Sequence, residues 1–232
     1  MARISPTKAR SATRTAGRSG RPPNELAGEV EERILDAARK VFLDRGFEGA
    51  SIEEIADVAR SGKPTIYARF RDKKALFTAA VTRYVVARQS RLVNFSPSGK
   101  SLEERLASIG VTILQETLTP EWISFLRLAI AEASRFPDLG SVVISMTRER
   151  GAETMIRLLN EAAESGEVET FPAFGSDRLA MTARYFIDLI LLPQLMRALS
   201  GEHLKTLHAE IGSHISQRVA FFLSACRNGG IR

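Results

Sequence analysis

The stretch SIEEIADVARSGKPTIYARFRDKKALF, residues 51–77, decides the fold. Ser51 followed three residues later by Glu54 is a capping box, so a helix starts there. Ile52, Ile55, Ala56 and Ala59 recur at i, i+3, i+4 and i+7 and make one apolar face. Ser61-Gly62 interrupts that helix. Pro64 sits in the first turn of the next, where a missing N–H is not felt. In this second helix Ile66 and Phe70, four residues apart, point inward. That leaves Lys63, Thr65, Tyr67, Ala68 and Arg69 outside. Asp72 is placed to cap a third helix. From Arg60 to Lys74 there are six basic residues and one acid. A short helix with a basic outer face, propped on a capped neighbour, suits the major groove of DNA.

These residues carry a resemblance. KPTIYARFRDKKALF, residues 63–77, is similar to the recognition-helix signature of TetR-type (TetR/AcrR) transcriptional regulators. ILDAARKVFLDRGFEGASIEEIA, residues 34–56, resembles their first two helices. The aromatic pair Tyr67 and Phe70, the Asp-Lys-Lys after the turn and the Gly46-Phe47 helix end all fall in register. One departure is the turn, Arg60-Ser61-Gly62, where the family usually has Gly, an apolar residue and Ser; it adds Arg60 as a candidate phosphate contact. The resemblance implies that Lys63, Pro64, Thr65 and Arg69 approach base edges, Arg toward guanine and the Thr methyl or Pro ring toward a thymine methyl. It implies phosphate contacts from Ser51, Tyr67 and Lys73, which set register without reading sequence. Ala68 faces the groove with only a methyl group.

The charge balance locates the cationic surface. Residues 1–24 hold six basic residues and no acid, and the rest of the chain holds 27 of each sign. A body without net charge is no general polyanion binder, so nucleic-acid affinity has to come from the first residues and the Arg60–Lys74 cluster. Residues 1–27 are expected to form a disordered basic arm: they are rich in Ser, Thr, Arg, Gly and Pro, with little to bury. They either follow DNA or are a solvated tail. The single cysteine, Cys226, excludes an internal disulfide and fits a reducing compartment. The most apolar run, residues 186–196, is too short to cross a bilayer. These features point to a cytoplasmic, nucleoid-associated protein with no membrane partner.

The remaining chain reads as helices throughout. One is expected over residues 29–45, with Val30, Ile34, Ala38, Val41 and Phe42 as its stripe and Gly46 as its C′ residue. A long helix follows Asp72. Ser101 with Glu104 opens another, and Thr119-Pro120 the next, whose stripe is Trp122, Phe125, Leu126, Ala129, Ile130 and Ala133. FPDLG, residues 136–140, reads as a turn before a helix over 142–165. Two apolar helices close the chain, over 177–199 and 202–227. The fold class is therefore all-α, about nine helices. An N-terminal three-helix helix-turn-helix domain spans 28–77, and a C-terminal helical domain for ligand binding and dimerisation spans 78–232.

The penultimate helix carries two apolar stripes. Leu179, Ala183, Phe186 and Ile190 can face its own core; Met181, Tyr185, Leu189, Leu192 and Met196 need a partner. A homodimer through the last two helices follows, and with it a palindromic operator in double-stranded DNA. The resemblance also implies an apolar cavity for a small-molecule inducer, with Trp122, Phe125, Met146, Arg150 and Phe186 as candidate lining. His203, His208 and His214 are spaced five and six apart, unlike a helical zinc pair. No nucleophile triad, P-loop, GxGxxG or CxxC pair occurs, so no metal, cofactor or enzymatic activity is expected. Three functions compete: a sequence-specific repressor released by an apolar ligand, a nucleoid-type architectural protein without sequence preference, and a small-molecule-binding or enzymatic helical bundle with a vestigial DNA unit, against which the intact Lys63–Lys74 cluster argues.

Overall fold

The computed structural model describes the backbone of residues 23–93, 95–166, 171–175 and 178–227, and their side chains except in 23–27, 89–93, 139–152 and 172. Among the described residues there are nine α-helices, one 3-10 turn and no strand. They are α1 (Pro23–Gly49), α2 (Ile52–Ala59), α3 (Lys63–Tyr67), α4 (Lys73–Val93), α5 (Leu102–Thr117), α6 (Pro120–Ala131), α7 (Pro137–Glu164), α8 (Leu179–Leu199) and α9 (Leu204–Arg227).

The local start signals form as the sequence requires. The Ser51 hydroxyl accepts the Glu54 N–H at 3.0 Å, and the Ser101 hydroxyl accepts that of Glu104 at 3.2 Å. Thr119 accepts the Trp122 N–H at 3.3 Å, and Asp72 accepts that of Ala75 at 2.7 Å. The glutamates of the two boxes turn elsewhere: Glu54 meets Arg45 at 3.3 Å, and Glu104 accepts the Lys100 N–H at 2.6 Å. Gly46 breaks the helical path inside α1 with φ 71° and ψ 177°, a conformation that favours glycine.

Two boundaries and one burial differ from the sequence expectation. The helix α1 begins at Pro23, inside the stretch assigned to the arm; residues 1–22 lie outside the described residues. The FPDLG stretch is not a free turn: α7 starts at Pro137, with Asp138 in its first turn. Proline tolerates the first helical turn and an acid there complements the helix dipole, so the two residues that read as a turn serve equally well as a helix start. Ile130, assigned to the buried stripe of α6, is 61% exposed.

Two buried clusters organise the packing. The first joins α1, α2, α3 and the front half of α4 through Ile34, Phe42, Ile55, Ile66, Leu76 and Phe77, all at most 2% exposed. It also takes in Trp122, Phe125 and Phe136, from α6 and the corner after it. The second unites α5, α7, α8 and α9 around Leu106, Leu114, Met155, Phe186 and Phe222. Gly110 lets α5 close on α8 and α9; a β-carbon there would stand 2.8 Å from Ile215 Cδ1 and 3.1 Å from Ile190 Cδ1. The helix α6 belongs to both clusters, giving Ile123 to the second and Trp122 and Phe125 to the first. Cys226 is fully buried, and burial pushes its thiol up to about 12.

By length and hydropathy alone α8 is long and apolar enough to cross a membrane. Its apolarity has a use in the fold, because Leu179, Ala183, Phe186 and Ile190 are buried in the second cluster. Tyr185, Leu192 and Met196, on the other stripe, are 50%, 48% and 58% exposed.

Candidate nucleic-acid interface

The helix α2 buries Ile52, Ile55, Ala56 and Ala59 and so fixes the frame on which α3 stands. Its end is closed by Arg60, which adopts φ 50° and ψ 48°. Among the described residues it is the only one besides glycine in the left-handed region. The next residue, Ser61, sends its N–H back to the Ala56 carbonyl at 2.9 Å. Gly62 is extended (φ −75°, ψ 147°) and caps α3 without a side chain. The sharp reversal therefore falls on the arginine, not on the glycine that read as the breaker.

The helix α3 is short, Lys63 to Tyr67, but its turn is prolonged by the Phe70 N–H bonding to the Ile66 carbonyl at 2.8 Å. Ile66 and Phe70 are buried at 0% and 8%. Lys63, Pro64, Tyr67 and Ala68 are exposed, and Thr65 and Arg69 are half-buried. All six lie on this one element and the turn that follows it, with Arg60 exposed on the preceding turn. A small, largely solvent-facing surface of this kind can enter a groove and offer one lysine, one arginine and two methyl-bearing residues to base edges.

Several of these side chains are already engaged. The Lys63 ammonium meets the Glu53 carboxylate at 2.5 Å across the turn. That hydrogen bond raises the Lys63 pKa and lowers that of Glu53. The Arg69 guanidinium donates to the Thr65 carbonyl at 3.2 Å. Lys73 donates to the Glu48 carbonyl at 3.1 Å and lies over the Phe47 ring at 4.8 Å. The Ser51 hydroxyl is the α2 cap. Glu53 was missed in the sequence reading, although its place on the polar side of α2 marks it as outward-facing.

The proposed ligand residues are not gathered around one cavity. Trp122 and Phe125 stack at 5.1 Å in the N-terminal cluster, against Tyr84, while Phe186 packs on Phe222 at 4.8 Å in the other. The Met146 and Arg150 side chains lie outside the described residues. Neither of two cavities, one of about 340 Å³ beside α5 and α7 and one of about 240 Å³ between α1 and α4, is lined by any of the five.

The apolar face of α8 is accompanied by a polar network running into α9. His214 is buried; its Nε2 donates to the Ile190 carbonyl at 2.9 Å and its Nδ1 accepts from Gln194 at 3.0 Å. Arg197 donates to Gln194 at 3.1 Å and to Glu202 and Glu210. Burial lowers the His214 pKa.

Known proteins share this arrangement. The model of bacterial regulatory proteins of the tetR family matches residues 34–80. That of the C-terminal domain of AefR-like transcriptional repressors matches residues 104–227, more than half of the chain. The chain belongs to the TetR family. TetR-family proteins are transcriptional regulators, not enzymes. Among curated relatives, the HTH-type transcriptional activator FasR of Mycolicibacterium smegmatis is 39% identical over 72 residues, 31% of this chain and 33% of FasR. The transcriptional repressor NemR of Escherichia coli is 27% identical over 139 residues, 60% of this chain and 69% of NemR. The chain thus spans about a third of one relative and two thirds of the other. A TetR-family regulator from Mesorhizobium loti has the same fold, with TM-score 0.73 at 22% identity over 86% of this chain and 97% of that one. The flavonoid-responsive regulator FrrA aligns with TM-score 0.63 at 27% identity over the same shares of the two chains.

Proposed function

We propose that this TetR-family protein binds a palindromic operator as a homodimer and represses transcription until a small apolar ligand releases it. The observation that carries the reading is α3: Ile66 and Phe70 anchor it while Lys63, Pro64, Tyr67 and Ala68 are left outside. In this reading residues 28–77 form the reader and residues 78–232 the ligand-binding and dimerisation part. Lys63, Pro64, Thr65 and Arg69 meet base edges, Ala68 faces the groove, and Ser51, Arg60, Tyr67 and Lys73 meet phosphate. The exposed Tyr185, Leu192 and Met196 of α8 and Phe221 of α9 support pairing with a second copy through these two helices. The ligand acts by binding one spacing of the two readers more tightly than the other, since only differential affinity shifts the balance.

The names of the relatives support both signs of regulation, NemR being a repressor and FasR an activator; occlusion of a promoter is the simpler consequence of a bound dimer. A cytoplasmic location follows from the same reading. The test is selection from random and genomic duplexes at moderate salt, followed by titration of the selected duplex and a scrambled one. Enrichment of one palindrome with a dimer bound supports the proposal. Equal affinity for every duplex, or a monomer at micromolar concentration in sedimentation, would sink it and favour an architectural role.

A further inference from the structure

The cavity of about 340 Å³ lies where the chain after α4 crosses α5 and α7. Its size falls within the range of small-molecule sites. Four of its lining residues, Thr154, Arg157, Leu158 and Glu161, recur at helical spacing along one side of α7. Leu158 and the Thr154 hydroxyl-bearing side chain are buried and form the floor. Phe95 and Pro97 supply an apolar wall, and Arg105 of α5 faces the same space as Arg157. The balance of charge is two guanidinium groups to one carboxylate, beside an apolar wall.

The wall is held in place before any ligand arrives. Ser98 donates its N–H to Ser108 Oγ at 3.2 Å, and the two hydroxyls meet at 3.1 Å. Lys100 is tied to Glu104, and Gly99 turns the chain with φ 141°, where a β-carbon would stand 2.5 Å from that of Glu104. The segment 95–100 is thus pinned to the first turns of α5, and little ordering is left for binding to supply.

We infer that this cavity takes a small organic carboxylate, its carboxylate held by Arg105 and Arg157 and its apolar body laid on Phe95, Pro97 and Leu158. Guanidinium groups match a planar carboxylate in geometry and charge. The inference rests on the ligand-responsive reading above and names the ligand class and place. The position suits regulation. The cavity is lined by the C-terminal part of α7 and by Phe95, which comes shortly after α4 in the chain. Both helices start at the first cluster, since α4 buries Leu76 and Phe77 there and α7 follows directly on Phe136. From Thr154 back to Pro137 is about 25 Å of continuous helix. An occupant that displaces α7 moves the reader's core at its other end.

The experiment is calorimetric titration of the full chain with hexanoate, octanoate and phenylacetate, each beside the primary alcohol of the same skeleton, and with inorganic phosphate. At least one carboxylate is expected to bind once per chain, roughly tenfold or more tighter than its alcohol. Arg157→Gln, at an exposed position whose folding a thermal melt verifies, is expected to bring that ratio to about one, while Arg157→Lys keeps part of it. The proposal is overturned if no carboxylate outbinds its alcohol, if Arg157→Gln keeps the full preference, or if phosphate binds as well as the carboxylates. A separate arm follows operator release by the same ligands. Arg157-dependent binding without release would uphold the site and refute the ligand-released repressor.

Discussion

Phe136 stands edge-on to Phe47, ring centroids 4.8 Å apart and planes at 77°. One ring belongs to the corner between α6 and α7 and the other to the end of α1, so a residue from the C-terminal half completes the core of the reader. Phe77 closes the group at 4.9 Å from Phe136, and Lys74 lies over the Phe136 ring at 5.4 Å. The same corner carries Arg135, which pairs with Glu48 at 2.5 Å and with Glu132 at 3.1 Å.

Removing that ring leaves a cavity between the two parts. Phe136→Ala is expected to cost about 3–5 kcal/mol in chemical denaturation, and Phe136→Leu markedly less. Both variants are expected to bind operator more weakly in proportion to their loss of stability. A Phe136→Ala protein with wild-type stability would show that the aromatic group carries no load.

The ion pair between Glu53 and Lys63 sets up a competition for the lysine. Glu53→Gln removes a negative charge from beside the base-reading lysine and frees its ammonium. Operator affinity is expected to rise, and the salt slope to steepen by up to about one unit. Lys63→Ala is expected to do the reverse. Anisotropy titrations over a range of salt concentrations decide it; a weaker-binding Glu53→Gln protein would mean that the carboxylate orients the lysine usefully.

Arg60 holds a backbone conformation that costs an ordinary residue about 1–2 kcal/mol. Arg60→Gly relieves this, against about 0.4–1 kcal/mol of extra freedom in the unfolded chain. The net expectation is a protein more stable by about 0.5–1 kcal/mol that binds DNA less tightly, with a shallower salt slope. Opposite signs in denaturation and in DNA titration separate the two roles of one residue.

How far these features were legible depends on the range of the interaction. Ser51, Asp72, Ser101 and Thr119 cap helices within three residues of themselves, and each was readable. The apolar faces of α2 and α8 were readable for the same reason. What an apolar face packs against is not local. Trp122 and Phe125 were expected at a ligand cavity, yet they complete the reader's core, because nothing within α6 says which side of it the first helices occupy. Ile130 continues the spacing of that stripe but lies one residue before the helix ends. The left-handed Arg60 was hidden by the neighbouring glycine, which composition favours for that conformation.

His214 makes stability depend on pH. Its folded pKa lies below the usual value of about 6.5, burial being the main cause, with Arg218 and Arg197 opposing protonation and the Ile190 carbonyl and Glu210 favouring it. The unfolded chain therefore takes up the proton first. The contribution is fully present above about pH 6.5 and is lost as pH falls toward the folded value, at no more than about 1.4 kcal/mol per pH unit. Urea midpoints between about pH 7.5 and 5.5 are expected to fall for the wild type and to flatten in His214→Gln.

The buried Cys226, its thiol kept protonated at neutral pH, is shielded from electrophiles. A cysteine introduced at Ala68 would then be the one position that a maleimide dye modifies, with no need to remove the native thiol first. Two copies so labelled would form a molecular ruler, and energy transfer across a dimer would report how far apart the reading heads stand before and after an effector is added.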